Sequence, residues 1–246
     1  MTDRGVSETL GFVFIFALII SSVGIVYTVG ISGLEDVRSA ERVTNAERAF
    51  DVLGHNFEDM VYRGAPGRAT EIKLADAQLY MDDSIVVNVS GHVEGDPNTN
   101  FSTIETKIEP IIYRAGDSKI VYTNGAIIRQ DGDASVMTRE PDLLIESNRS
   151  TLPIVQTRAD ESENIGGSTV VLVRADKSGE ELAFTNQSET WDVWFNVTTP
   201  RTDAWERHLD AKPGTDCTVN DETVSCEYTV NRLHVVIYQI KVQITD

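Results

Sequence analysis

Five asparagines stand in Asn-x-Ser/Thr triplets, the pattern in which a side-chain amide can be joined to a glycan: Asn88-Val89-Ser90, Asn100-Phe101-Ser102, Asn148-Arg149-Ser150, Asn186-Gln187-Ser188 and Asn196-Val197-Thr198. Such triplets also arise by chance in a chain rich in Asn, Ser and Thr, and Asn196 falls in a strand-like stretch, which makes it the poorest acceptor. The second reactive pair is Cys217 and Cys226. The Thr218–Ser225 stretch between them carries turn-forming Asn220 and Asp221 with β-formers on either side, so it reads as a hairpin. A disulfide across it suits an oxidising compartment, and two reduced thiols are the alternative. No histidine or further cysteine stands at ligand spacing, so zinc is not expected.

No catalytic constellation emerges. The histidines are scattered: His55 on a helical stretch, His208 on a short one, and His92 and His234 in or beside strands. There is no Gly-x-Ser-x-Gly elbow, phosphate-cradling loop or paired-histidine spacing. Asp131 and Asp133 lack the ligand register of a calcium loop and read as a solvated turn. Trp191 and Trp194 are three apart in a strand and so face opposite sides; one belongs to the core, which disfavours a two-tryptophan sugar platform. Neither an enzyme nor a cofactor is expected.

Charge sets the next limit. With 39 acidic and 21 basic residues the formal net charge is −18. Nucleic-acid phosphates need cationic partners, so nucleic acid is not an expected ligand. An acid-rich, lysine-poor surface stays hydrated in concentrated salt and fits a halophilic source, although an ordinary acidic extracellular domain would look the same.

The element that must position all of this is apolar. Residues 10–31, LGFVFIFALIISSVGIVYTVGI, carry no charge. About 20 such residues cross a hydrocarbon layer of about 30 Å. The run exceeds the 7–15 residues of a secretory signal core, and the best small-x-small site beyond it, Val37-Arg38-Ser39, follows charged Glu35 and Asp36. The helical pattern then continues: Leu34, Val37, Ala40, Val43, Ala46, Phe50, Leu53, Phe57 and Met60 recur at three- and four-residue steps. Arg63-Gly64-Ala65-Pro66-Gly67 stops it. The spacing predicts one helix over residues 9–62, roughly 80 Å at 1.5 Å per residue.

Ahead of the run, Arg4-Gly5 followed by Val6-Ser7-Glu8-Thr9-Leu10-Gly11 resembles the class III signal of archaeal type IV pilin-like proteins. Val6-Ser7 with Leu10-Gly11 is also similar to the start of haloarchaeal pilins. The resemblance covers about the first 60 residues. It implies that a prepilin peptidase cuts between Gly5 and Val6, and that the apolar helix stays on the mature chain as a membrane anchor or filament core. It also implies as partners the membrane and further copies of the chain or other pilin-like subunits. Bacterial pilins carry Glu at the fifth mature position, which is Leu10 here; Glu8 is the nearby acid. Pairing of Glu8 with the mature amine of a neighbouring subunit is the assembly contact expected.

Beyond residue 67 the period turns strand-like. Candidate strands cover residues 70–81, 84–90, 102–108, 111–114, 119–123, 126–129, 168–174, 182–185, 190–198, 217–219, 224–230 and 232–244. A short helix falls at 202–211, and loops are expected over 131–163. Asn124-Gly125 between Ile120-Val121-Tyr122 and Ile127-Ile128 is a strong hairpin signal. The expected fold is α+β: a long N-terminal helix, membrane segment plus amphipathic half, then a mainly antiparallel β head, sandwich or rolled sheet. The expected division is a leader at 1–5, an assembly helix at 6–33, its amphipathic continuation at 34–64 and an extracellular domain at 65–246.

Overall fold

The computed structural model describes the backbone of residues 3–82, 85–160 and 164–246, with side chains from residue 10 onward apart from 29–36 and 39. The elements in chain order are α1 (Asp3–Tyr62), β1 (Gly67–Lys73), β2 (Ala77–Met81), β3 (Ile85–Val93), β4 (Asp96–Ile108), β5 (Ile111–Ala115), β6 (Ser118–Thr123), β7 (Ala126–Asp131) and β8 (Ala134–Arg139). They continue with β9 (Leu144–Ile145), β10 (Ser150–Ala159), β11 (Ile165–Gly167), β12 (Val170–Asn186), β13 (Trp191–Thr198), α2 (Thr202–Asp210), β14 (Asp216–Asn220), β15 (Thr223–Val230) and β16 (Leu233–Thr245). The chain forms two compact units, Met1–Arg42 and Val43–Asp246. It is an α+β protein, mostly sheet, with an apolar helix at its N-terminus.

The second unit is layered rather than a single sandwich. Among the described residues its strands form three sheets, β1-β12-β16-β10-β9, β11-β2-β5-β6-β7-β8 and β14-β15-β13-β3-β4. All described pairings are antiparallel except β10 with β16. Two cores result. In the first, Val43, Ala46, Phe50, Leu53, Phe57 and Met60 of α1 pack on one face of the first two sheets, against residues such as Tyr122 and Val173. In the second, the opposite face of those sheets, including Ile112, Val121, Ile128 and Ile154, meets the third sheet and Trp205 of α2.

Double-sided burial explains the apolar runs. Ile111 and Tyr113 face the first core, while Ile112 between them faces the second. Strands buried on both faces read as continuous apolar stretches instead of alternating ones. The same effect accounts for the main departure from expectation. Residues 131–163 do not form loops: they hold β8, β9 and β10, and β10 lies between β16 and the two-residue edge strand β9. Its run Leu152-Pro153-Ile154-Val155 sends Leu152 and Ile154 to one core and Val155 to the other, so no period of two is visible. Pro153 is tolerated because its edge carries no ladder bond there. The next residue facing that way, Val155, donates its N–H to the Asn124 side chain at 2.8 Å.

Two further boundaries move. Residues 70–81 break into β1 and β2, which enter different sheets. The strands expected at 168–174 and 182–185 merge into β12, with a register shift between Lys177 and Gly179 where the gap was expected. The Asn124-Gly125 hairpin forms as expected, with φ of 47° and 82° and Thr123 paired to Ala126. Both positive φ values are what a two-residue type I′ turn requires.

Candidate functional site

The apolar segment is the candidate site with the plainest physics. Leu10–Thr28 is long and apolar enough to cross a membrane, and none of it is buried. Phe12, Phe14, Leu18, Val26 and Tyr27 are each 68–72% exposed, and they lie on all sides of the helix. Within this chain the segment is uncovered, as a membrane anchor or a signal sequence would be. Nineteen residues at 1.5 Å each give about 28 Å, close to the hydrocarbon thickness. Two of its hydroxyls are satisfied locally: Ser22 Oγ donates to the Ile19 carbonyl at 2.9 Å, and Thr28 Oγ1 lies 3.1 and 3.0 Å from the carbonyls of Gly24 and Ile25. Self-satisfied hydroxyls lower the cost of placing the segment in lipid. The side chains of Arg4, Val6 and Glu8, and the environment of Gly5, lie outside the described residues.

Farther along α1 the chemistry changes. Arginines on β7 and β8 reach acids on the helix: Arg129 Nη1 lies 3.4 Å from Glu47, Arg139 Nη1 lies 2.7 Å from Asp51, and Arg139 also pairs with Glu58. Arg68 on β1 adds a contact to Asp59 at 3.1 Å. Burial acts against the Arg139 charge, but hydrogen bonds and attraction from Glu58 and Asp51 outweigh it, holding the guanidinium more firmly protonated than usual. These pairs join residues far apart in sequence, and no local pattern announces them.

The sequons are sorted by the fold. Asn88 and Asn196 are directly paired across β3 and β13, in the interior of the third sheet. Asn148 and Asn186 meet around Asn231: Asn231 Nδ2 donates to Asn148 Oδ1 at 3.3 Å, and Asn186 Nδ2 to the Asn231 carbonyl at 3.4 Å. Asn186 Nδ2 also donates to the Glu189 carbonyl at 2.6 Å. Asn100 is exposed on the edge strand β4. Cys217 and Cys226 are joined by a disulfide and directly paired on β14 and β15, with the turn carried by Asp221 at φ 50°.

The remaining candidates stay apart. His55, on α1, lies beside Arg139, His92 is on β3, His208 is buried on α2, and His234 bonds Thr185 at 2.9 Å. Asp131 is tied to Ser118 and Arg129, whose hydrogen bonds hold its carboxyl below the usual range. Among the described residues no three His, Cys, Asp or Glu side chains gather as a metal site. A cavity between α1 and the Asn124-Gly125 hairpin, lined by Phe57, Tyr122 and Val155, has a volume of about 20 Å³. That space holds about one water. Trp191 is the core member of its pair, 5% exposed, whereas Trp194 lies on the opposite face of β13.

The fold and the span together define a β-rich α+β protein with one N-terminal apolar helix able to cross a membrane. The chain belongs to a family of unknown function, DUF7289, which matches residues 4–243. It is similar to an uncharacterized protein of Archaeoglobus fulgidus, at 22% identity over 90% of this chain and 88% of that one. No solved structure matches it.

Proposed function

We propose that this chain is a type IV pilin-like subunit of an archaeal, haloarchaeal-type cell surface. It is made with a short leader, trimmed between Gly5 and Val6 by a prepilin peptidase, and held in the membrane or in a filament through its apolar helix. The observation that carries the reading is the wholly uncovered Leu10–Thr28 span on a helix that continues, as Asp3–Tyr62, into the first core of the β unit. A span with no protein cover needs lipid or identical helices around it. Exchanging lipid for identical helices changes little hydrophobic free energy, so packing and polar pairing decide assembly. The Arg4-Gly5 signal supports the same reading, and the Archaeoglobus fulgidus relative supports its archaeal part alone. The sheet unit then lies outside the cell, where the Cys217–Cys226 disulfide persists and where sequons can be used.

The test uses cells of the native host. In the wild type the chain should co-purify with sheared surface filaments; with Gly5→Val it should keep residues 1–5 and remain in the membrane. Glu8→Gln should reduce filament incorporation, and unchanged incorporation would dispose of the Glu8 contact. Equal recovery of wild type and Gly5→Val in membranes alone, with the leader still attached to both, would overturn the pilin reading. That outcome would leave the alternative, a permanently membrane-anchored ectodomain that binds a ligand or envelope glycan without filament assembly.

A further inference from the structure

The outer face of the third sheet has one residue out of keeping with its neighbours. On β13 the residues pointing away from the core are Asp192, Trp194, Asn196 and Thr198, all half-buried. Trp194 is paired with Ser90 on β3 and Glu227 on β15. Ser90 is too small to cover an indole, and Glu227 is exposed. One side is met by His92, whose ring centroid lies 5.0 Å away. In the neighbouring rows Asn196 is paired with Asn88, and Asp192 with His92.

We propose that this face binds a glycan, a neutral or amino-sugar oligosaccharide, with Trp194 as the stacking platform. A pyranose has an apolar face of C–H groups and an equatorial rim of hydroxyls. The electron-rich face of an indole takes the first. Amides and carboxylates beside it take the second. The same-face span from Asp192 to Asn196 is about 13 Å, room for about two to three sugar rings.

The fold leaves part of the hydrogen-bonding capacity of this face unused. Asn88 Oδ1 and Asn196 Oδ1 are covered from solvent and accept no hydrogen bond from a described residue, so each amide turns outward to meet a sugar hydroxyl and breaks no protein hydrogen bond at that oxygen in doing so. Asp192 is already oriented, accepting from Thr229 Oγ1 at 2.8 Å with His92 Nδ1 at 3.8 Å. Charge narrows the ligand. Register places Glu105, Asp192 and Glu227 on this face against Lys107 and His92. Net acidity repels uronates and sulfated sugars and favours neutral or cationic ones. A protein partner would want a broader apolar patch than one indole.

The inference concerns the sheet unit and does not rest on filament assembly. It places Asn88 and Asn196 among ligand contacts, so both sequons must be unmodified in the native protein. The test is a glycan array carrying neutral, amino-sugar, uronate and sulfated oligosaccharides, probed with the full chain in detergent micelles. Neutral or amino-sugar features should be bound, and in solution the bound sugar should shift tryptophan emission. Trp194 reports that shift cleanly because Trp191 and Trp205 are 5% and 0% exposed. Trp194→Ala should weaken binding by about tenfold or more, and Trp194→Phe should stay within about threefold of wild type. Ser90→Arg, which crowds the indole without touching the core, should abolish binding with an unchanged melting temperature. Any one of three results overturns the proposal: no neutral or amino-sugar feature bound, wild-type binding by both Trp194→Ala and Ser90→Arg, or hexose attached to Asn88 or Asn196 in the native chain.

Discussion

Leu18 and Leu53 sit on the same helix in opposite circumstances: Leu18 is 70% exposed and Leu53 is 1% exposed. The two regions do not differ in helical character. They differ in how the apolar residues are distributed around the axis. In residues 10–28 large apolar side chains occupy every side, so no single neighbouring sheet could cover them. In the packed part Val43, Ala46, Phe50, Leu53, Phe57 and Met60 form one stripe, and its flank carries Glu47, Asp51 and Glu58 for arginine partners. A stripe selects a protein core; an uncharged cylinder selects lipid or its own kind.

The contrast can be broken from either side. The largest effect is expected for Leu53→Arg, which leaves an unpaired charge in the first core. It should cost at least about 3–5 kcal/mol, a large share of a domain's stability. Thermal unfolding should register it while membrane retention is unchanged in whatever fraction folds. Ile19→Arg is the mirror experiment. It should penalise insertion by about 3 kcal/mol, releasing the chain from membranes at alkaline extraction and leaving the melting of the sheet unit where it was. If Ile19→Arg unfolds the sheet unit, the two regions are not energetically distinct.

Reduction of Cys217–Cys226 tests whether the sheet unit depends on an oxidising compartment. Closing so short a loop is worth about 2–3 kcal/mol by the chain-entropy estimate. The loss should concentrate in the β14–β15 hairpin, read as faster amide exchange there. Arg139→Ala should be milder. Its partners Asp51 and Glu58 are 58% and 38% exposed, so solvent screening limits the loss to about 1 kcal/mol. That difference between wild type and variant should shrink as salt is raised in denaturant titrations.

The smallest effect is a pH dependence at His208. Burial, then the Lys212 charge, hold its imidazole below the ordinary histidine value, against the opposing pull of Glu140. The unfolded chain therefore takes up this proton before the folded one does. The stabilisation is complete above the unfolded histidine value of about 6.5 and is lost as pH falls from there toward the depressed folded value. His208→Gln should flatten the melting-temperature profile in that window alone.

Features that depend on near neighbours in sequence were legible. The α1 stripe, the Asn124-Gly125 turn and the cysteine hairpin each write their signature within a few residues. The first buried position of the stripe was not: among its described residues Val37 and Ala40 are exposed and Val43 is buried, and nothing in the repeat marks that change. β10 was hidden because strands enclosed on both faces lose the alternation that identifies a strand. β12 was split by its register shift near Gly179, whose local letters match those of a turn. The pairing of Asn88 with Asn196, and the arginine contacts to α1, join positions brought together only by the three-sheet topology. The face around Trp194 left half a trace: a tryptophan out of phase with the core positions of its own strand.

The most direct measurement is the intact mass of the chain isolated from its native cells. A polypeptide that still contains Leu10–Thr28, beginning at Val6, is the expected result. A mature polypeptide beginning beyond Ser39, soluble and without the apolar helix, would contradict the role given to it.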